Sequence, residues 1–123
     1  MKLGPLEWIG NSLAASDVTK WVRLPPQTKK LTIGIGWPAT DSPTGTLAIE
    51  LSNHGKPGVA GAPYPTTITT NPSGTANTLI LDNIDTSATY IRMTYTRTSG
   101  GTGASFTDDS GVAGTQPTIE TKE

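Results

Sequence analysis

The stretch Thr89-Tyr90-Ile91-Arg92-Met93-Thr94-Tyr95-Thr96-Arg97-Thr98-Ser99-Gly100-Gly101-Thr102-Gly103-Ala104-Ser105-Phe106 decides the fold. Ile91, Met93 and Tyr95 fall on one face of an extended chain, and Tyr90, Arg92, Thr94 and Thr96 fall on the other. A period of two is the pleat of a strand with one buried face. Ser99-Gly100-Gly101 supplies residues that accept positive φ, as a tight hairpin requires. The reading is therefore a long strand, a glycine turn and a returning strand over Gly103 to Thr107, with Ala104 and Phe106 inward.

Alternation repeats upstream. Val18 to Leu24 reads as a strand ended by Pro25-Pro26, since proline cannot donate to a ladder. Leu31 to Trp37 alternates Leu31, Ile33, Ile35 and Trp37 with Thr32, Gly34 and Gly36. The two glycines leave one face bare, so either another backbone approaches there or the strand bends. Thr46 to Ser52 points Leu47, Ile49 and Leu51 inward and Glu50 outward. Thr66 to Thr70 reads as a short edge strand. Asn77 to Ile84 places Leu79 and Leu81 on one face and Ile80 and Asp82 on the other. Seven strands with frequent turns predict an antiparallel β-sandwich, jelly-roll or immunoglobulin-like. No Cys-Trp-Cys pattern marks a true immunoglobulin domain.

Composition agrees. Of 123 residues, 33% are hydrophobic, 14 are Gly and 10 are Pro, which suits an all-β chain rich in turns. The length fits one domain with one modest core. The expected division is an N-terminal arm over 1–17, a β-sandwich over 18–107 and a tail over 108–123. Gly4, Pro5 and Gly10 interrupt any period in the arm, and the tail shows none. Trp8 either packs on this protein's own sheets or docks on a neighbouring subunit.

The absence of cysteine removes disulfides and thiol chemistry and favours folding in a reducing cytoplasm. A formal charge of -1 argues against nucleic-acid binding. No apolar run approaches the length of a membrane span, and no signal-peptide core follows Met1-Lys2. His54 is the only histidine and stands in the Gly/Pro-rich excursion from Asn53 to Pro65. One histidine without cysteine does not build a zinc site. No serine sits in a G-x-S-x-G context. Asp108-Asp109, with Asp82 or Asp85, lacks the regular spacing of a calcium loop. No enzyme, metal or cofactor is expected. Trp21, Trp37, Tyr64, Tyr90 and Tyr95 either form a stacking platform for sugars or fill the core and subunit contacts.

Three runs carry a family likeness: Trp21-Val22-Arg23-Leu24-Pro25-Pro26, Leu47-Ala48-Ile49-Glu50-Leu51-Ser52-Asn53-His54-Gly55, and Tyr90-Ile91-Arg92 leading into the Ser99-Gly100-Gly101 turn. With the alternating Leu31–Ile35 run between the first two, they make the chain over 18–107 resemble small virion β-sandwich proteins of bacteriophages, of the capsid decoration (cement) and minor structural kind. His54 departs from that pattern, which more commonly has an acid there, and the Lys56–Pro65 loop is richer in proline. The resemblance implies a non-enzymatic protein of the capsid surface, made in the host cytoplasm. Its implied partners are the major capsid protein and copies of itself, as a trimer or dimer, with no nucleic acid and no membrane. Partner contacts are expected from Leu6, Trp8 and Ile9 of the arm, from His54, Lys56 and Tyr64 of the loop, and from outward Arg92 and Arg97. The rival is a receptor- or glycan-binding module of a phage tail or spike.

Overall fold

The computed structural model describes residues 2–39, 42–52, 68–70, 78–86 and 88–123. Among them are eight strands and no helix: β1 (Asp17–Val18), β2 (Val22–Arg23), β3 (Lys30–Gly36), β4 (Thr44–Ser52), β5 (Ile68–Thr70), β6 (Thr78–Asp85), β7 (Tyr90–Ser99) and β8 (Thr118–Lys122). They form two antiparallel sheets. The larger runs β1-β7-β4-β5 with β2 also on β7; the smaller runs β6-β3-β8.

The period-two readings place the inner faces. Ile91, Met93 and Tyr95 of β7 are wholly buried, as are Leu47 of β4 and Ile33 and Ile35 of β3. Residues of both sheets fall in one apolar cluster that also takes in Trp37, Phe106 and Ile119. Phe106 is its hub: Trp8 stacks on it at 4.7 Å, and the rings of Tyr95 and Trp37 meet it edge-on at 5.0 and 6.4 Å. Aromatic pairs at such distances contribute beyond their buried area.

Two expectations are corrected, and the tail and the arm take defined courses. First, the glycine turn is real, with φ of 71°, 79° and 77° at Gly100, Gly101 and Gly103, but it closes no hairpin. The segment after it crosses to the smaller sheet, where Thr107 and Gly36 exchange N–H···O bonds of 2.7 and 2.9 Å. β4, distant in sequence, is the partner of β7 instead, pairing Ile49 with Met93 and Leu51 with Ile91.

Second, Val18 to Leu24 is not one strand. Asp17 faces Tyr95 and Val22 faces Ile91, five residues advanced against four. The extra residue breaks the ladder, as in a bulge. Thr19 bridges the break: its N–H donates to the Met93 carbonyl and its Oγ1 accepts from the Met93 N–H, both at 2.9 Å.

The tail is built in. Thr118–Lys122 is β8, paired along β3 from Lys30↔Lys122 to Gly34↔Thr118. The bare face of β3 receives this part of the chain: a methyl carbon at Gly34 would stand 3.1 Å from Asp109 Cβ.

The arm is a strap across two sheet edges. Lys2 bridges Glu120 on β8, and the Leu3 and Leu6 N–H groups donate to the Ile119 and Pro117 carbonyls at 2.9 and 3.0 Å. Further on, Trp8 bridges Thr19, Ile9 N–H donates to the Val18 carbonyl and Lys20 N–H to the Glu7 carbonyl, each at 3.0 Å. Residues 2–9 thus join the edge of the smaller sheet to the edge of the larger one.

Candidate interaction surfaces

The residues expected to meet partners are not gathered in one place. Leu6 and Trp8 are 0% and 6% exposed, so the arm's two largest anchors pack inside this chain. Their burial follows from strand geometry: along a paired segment, alternate side chains point to the core. Ile9, the next residue out, is 66% exposed. It stands at the start of a tight loop fastened by Asp17, whose carboxylate accepts the Gly10 N–H at 2.9 Å and the Asn11 N–H at 2.7 Å. His54, Lys56 and Tyr64 lie outside the described residues.

Arg92 and Arg97 face outward and are engaged within the chain. Arg92 donates to Glu50 Oε2 through Nε at 3.0 Å and Nη2 at 2.8 Å, and its guanidinium lies 4.6 Å from the centre of the Trp21 ring. Thr94 Oγ1 donates to the other Glu50 oxygen at 2.6 Å. Strand pairing explains the cluster, since Glu50 is the direct cross-strand partner of Arg92 and Ala48 that of Thr94. Arg97 donates its Nε to the Gly100 carbonyl at 2.9 Å and steadies the glycine turn. Arg92 is thus paired with a carboxylate, and Arg97 is held by a backbone carbonyl.

The described members of the sugar-platform set form no exposed aromatic face. Trp37, Tyr90 and Tyr95 are buried, and Trp21 is half-buried with Arg92 over its ring. Burial raises the Tyr95 phenol above its ordinary pKa, and the nearby Arg97 charge opposes that rise. Asp108 is held below the ordinary carboxylate range, chiefly by hydrogen bonds from Ser110.

Two features have little sequence signal. Shallow depressions of about 240 and 360 Å³ flank the turn after β2 and share Pro25, Pro26 and Thr28. Arg23 borders the first, and Lys122 and Glu123 border the second. Gln27, which lines the first, has φ of 69°, a left-handed conformation unusual for a non-glycine residue. Outward apolar side chains are the other feature: besides Ile9, Ile80 on β6 and Val112 are each 58% exposed. Ile80 sits beside Gly34 in the β3–β6 pairing, where β3 offers no side chain of its own.

Among the described residues no three His, Cys, Asp or Glu side chains gather as metal ligands, and no helix is long and apolar enough to cross a membrane. Fold and surfaces together define an all-β protein of two antiparallel sheets around one core. The chain matches no protein-family model, no curated protein and no solved structure.

Proposed function

We propose that this protein is a non-enzymatic structural component of a bacteriophage virion, a decoration protein that binds the major capsid protein lattice and neighbouring copies of itself. On this reading the two sheets form a β-sandwich of jelly-roll or immunoglobulin-like kind. The sequence likeness over 18–107 suggests the role, and the pairing state of the strand edges is the observation that carries it.

The strap occupies the outer edges of β8 and β1. Among the described residues, β5 and β6 each have a single neighbouring strand. An edge with unpaired N–H and C=O groups is a template for another chain, and adding a strand to it needs no reactive side chain. β6 runs for 8 residues and contains neither Lys nor Pro, the residues that most often blunt such an edge. Its Ile80 adds an exposed apolar contact at that edge. A lattice-binding protein uses these features: a rigid body, a pairing edge and an apolar side chain beside it.

The test is binding to purified capsids with Ile80→Lys and Ile9→Lys variants whose fold is verified by circular dichroism. Ile80→Lys is expected to reduce occupancy at least tenfold, and unchanged occupancy in both variants overturns the assigned surface. Deleting residues 1–12 is a poor test, because it removes Leu6 and Trp8 from the core. Failure of the wild-type protein to bind capsids, together with specific binding on a glycan array, overturns the reading itself in favour of a tail or spike module.

A further inference from the structure

We infer that the Lys2–Ile9 strap is an exchangeable element: in an assembly, the edges of β8 and β1 that it covers in its own chain are covered by the strap of a second copy. This goes beyond the proposed capsid role and does not depend on it.

The strap's contacts are of a kind that exchange preserves. It meets the body along two strand edges and through Leu6 and Trp8 in the core. A second copy offers the same edges and the same sites, so every contact can be remade between chains. The body starts again at Leu13, which is wholly buried and donates its N–H to the Ala104 carbonyl at 2.9 Å. Only Gly10, Asn11 and Ser12 lie between, and Gly10 and Asn11 are exposed.

That junction also supplies a direction. Folding the strap back on its own body requires Asn11 at φ of 53°, in the left-handed region. Asn tolerates this region better than most residues but not without cost. An extended junction removes the requirement, and short junctions held in such a turn favour swapping. Against it stands Asp17, whose carboxylate fastens the closed turn through the Gly10 and Asn11 N–H groups. Three extended residues span roughly 10 Å, so donor and acceptor must meet strap side to strap side. Reciprocal exchange then closes a symmetric dimer, whereas one-way exchange runs on around a ring.

The chain has no cysteine, which makes the test clean. Lys2 and Glu120 are antiparallel bridge partners. Cα atoms of such partners lie about 4.5–5.5 Å apart, within reach of a disulfide. A Lys2→Cys/Glu120→Cys protein is oxidised over a hundredfold range of concentration and resolved on non-reducing gels, with the disulfide mapped by mass spectrometry. Exchange predicts covalent dimers or larger species whose share rises severalfold with concentration. Asn11→Gly, which relaxes the closed turn, lowers that share. Asn11→Pro, which cannot reach positive φ, raises it. Disulfides confined within single chains at every concentration, in the parent and in Asn11→Gly alike, overturn the inference even where Asn11→Pro fails to fold. Capsids play no part in the readout, so failure here is distinct from failure of the capsid role.

Discussion

β7 and the N-terminal strap serve the same core and look nothing alike in sequence. β7 alternates over 10 residues, with Ile91, Met93 and Tyr95 inward and Arg92, Thr94 and Thr96 outward. The strap alternates as well, with Leu6 and Trp8 inward and Glu7 and Ile9 outward. Its run is too short, and an exposed Ile9 spoils the polarity. The difference teaches that alternation is visible only where a ladder is long enough to repeat it. Energetically the two regions should be peers.

The sharpest way to break that equivalence is a pair of truncations. Trp8→Ala removes the ring stacked on Phe106 and is expected to cost about 3–5 kcal/mol. Met93→Ala in the centre of β7 is expected to cost about 2–5 kcal/mol. Denaturant titration of both proteins checks this through the midpoint at constant slope. A loss below about 1 kcal/mol for Trp8→Ala would show the strap to be an appendage after all.

What was legible follows the same rule. The inward sets of β3, β4 and β7 were readable because each holds three apolar residues in alternation. β8 was not, because its buried pair is Ile119 and Thr121, and threonine carries no burial signal in a chain this rich in it. The break between β1 and β2 was hidden for a related reason. Thr19, not an apolar residue, turns inward there, and its hydroxyl replaces a ladder carbonyl. Arg92 was legible as an outward residue, yet its engagement was not, since Glu50 and Trp21 reach it only through pairing distant in sequence.

The glycine turn sharpens the comparison at the next level, because there the chain that follows β7 meets the chain that follows the strap. Gly101 and Gly103 have nearly the same φ, 79° and 77°. A methyl carbon at Gly101 would stand 2.7 Å from Leu13 Cβ and from the Leu13 carbonyl oxygen, whereas at Gly103 it would meet nothing within 4 Å. Gly103→Ala therefore costs only the left-handed backbone term, about 1–2 kcal/mol. Gly101→Ala adds a steric clash and should cost about 1–3 kcal/mol more. Equal losses in the two variants would mean that Leu13 yields freely, and the close packing of the chain after the strap against the turn would lose its energetic meaning.

The smallest effect concerns the outward side of β7, whose ion pair is less exposed than the strap's own, Glu7 with Lys20 at 3.0 Å. Glu50 and Arg92 keep 22% and 28% of their side-chain surface exposed, so water screens the pair, while two N–H groups on one carboxylate oxygen and the Trp21 ring hold it in place. Exposed pairs couple by about 0.2–1 kcal/mol, and this better-ordered one belongs near the top of that range. A double-mutant cycle of Glu50→Gln and Arg92→Met, run at low and at 1 M salt, should give a coupling of about 1 kcal/mol that shrinks as the Debye length falls. Coupling that survives high salt undiminished would place the cluster among the desolvated contacts of the fold. Absence of coupling at either salt would leave Arg92 held by Trp21 alone, and so available for a partner contact of the kind the proposed function calls for.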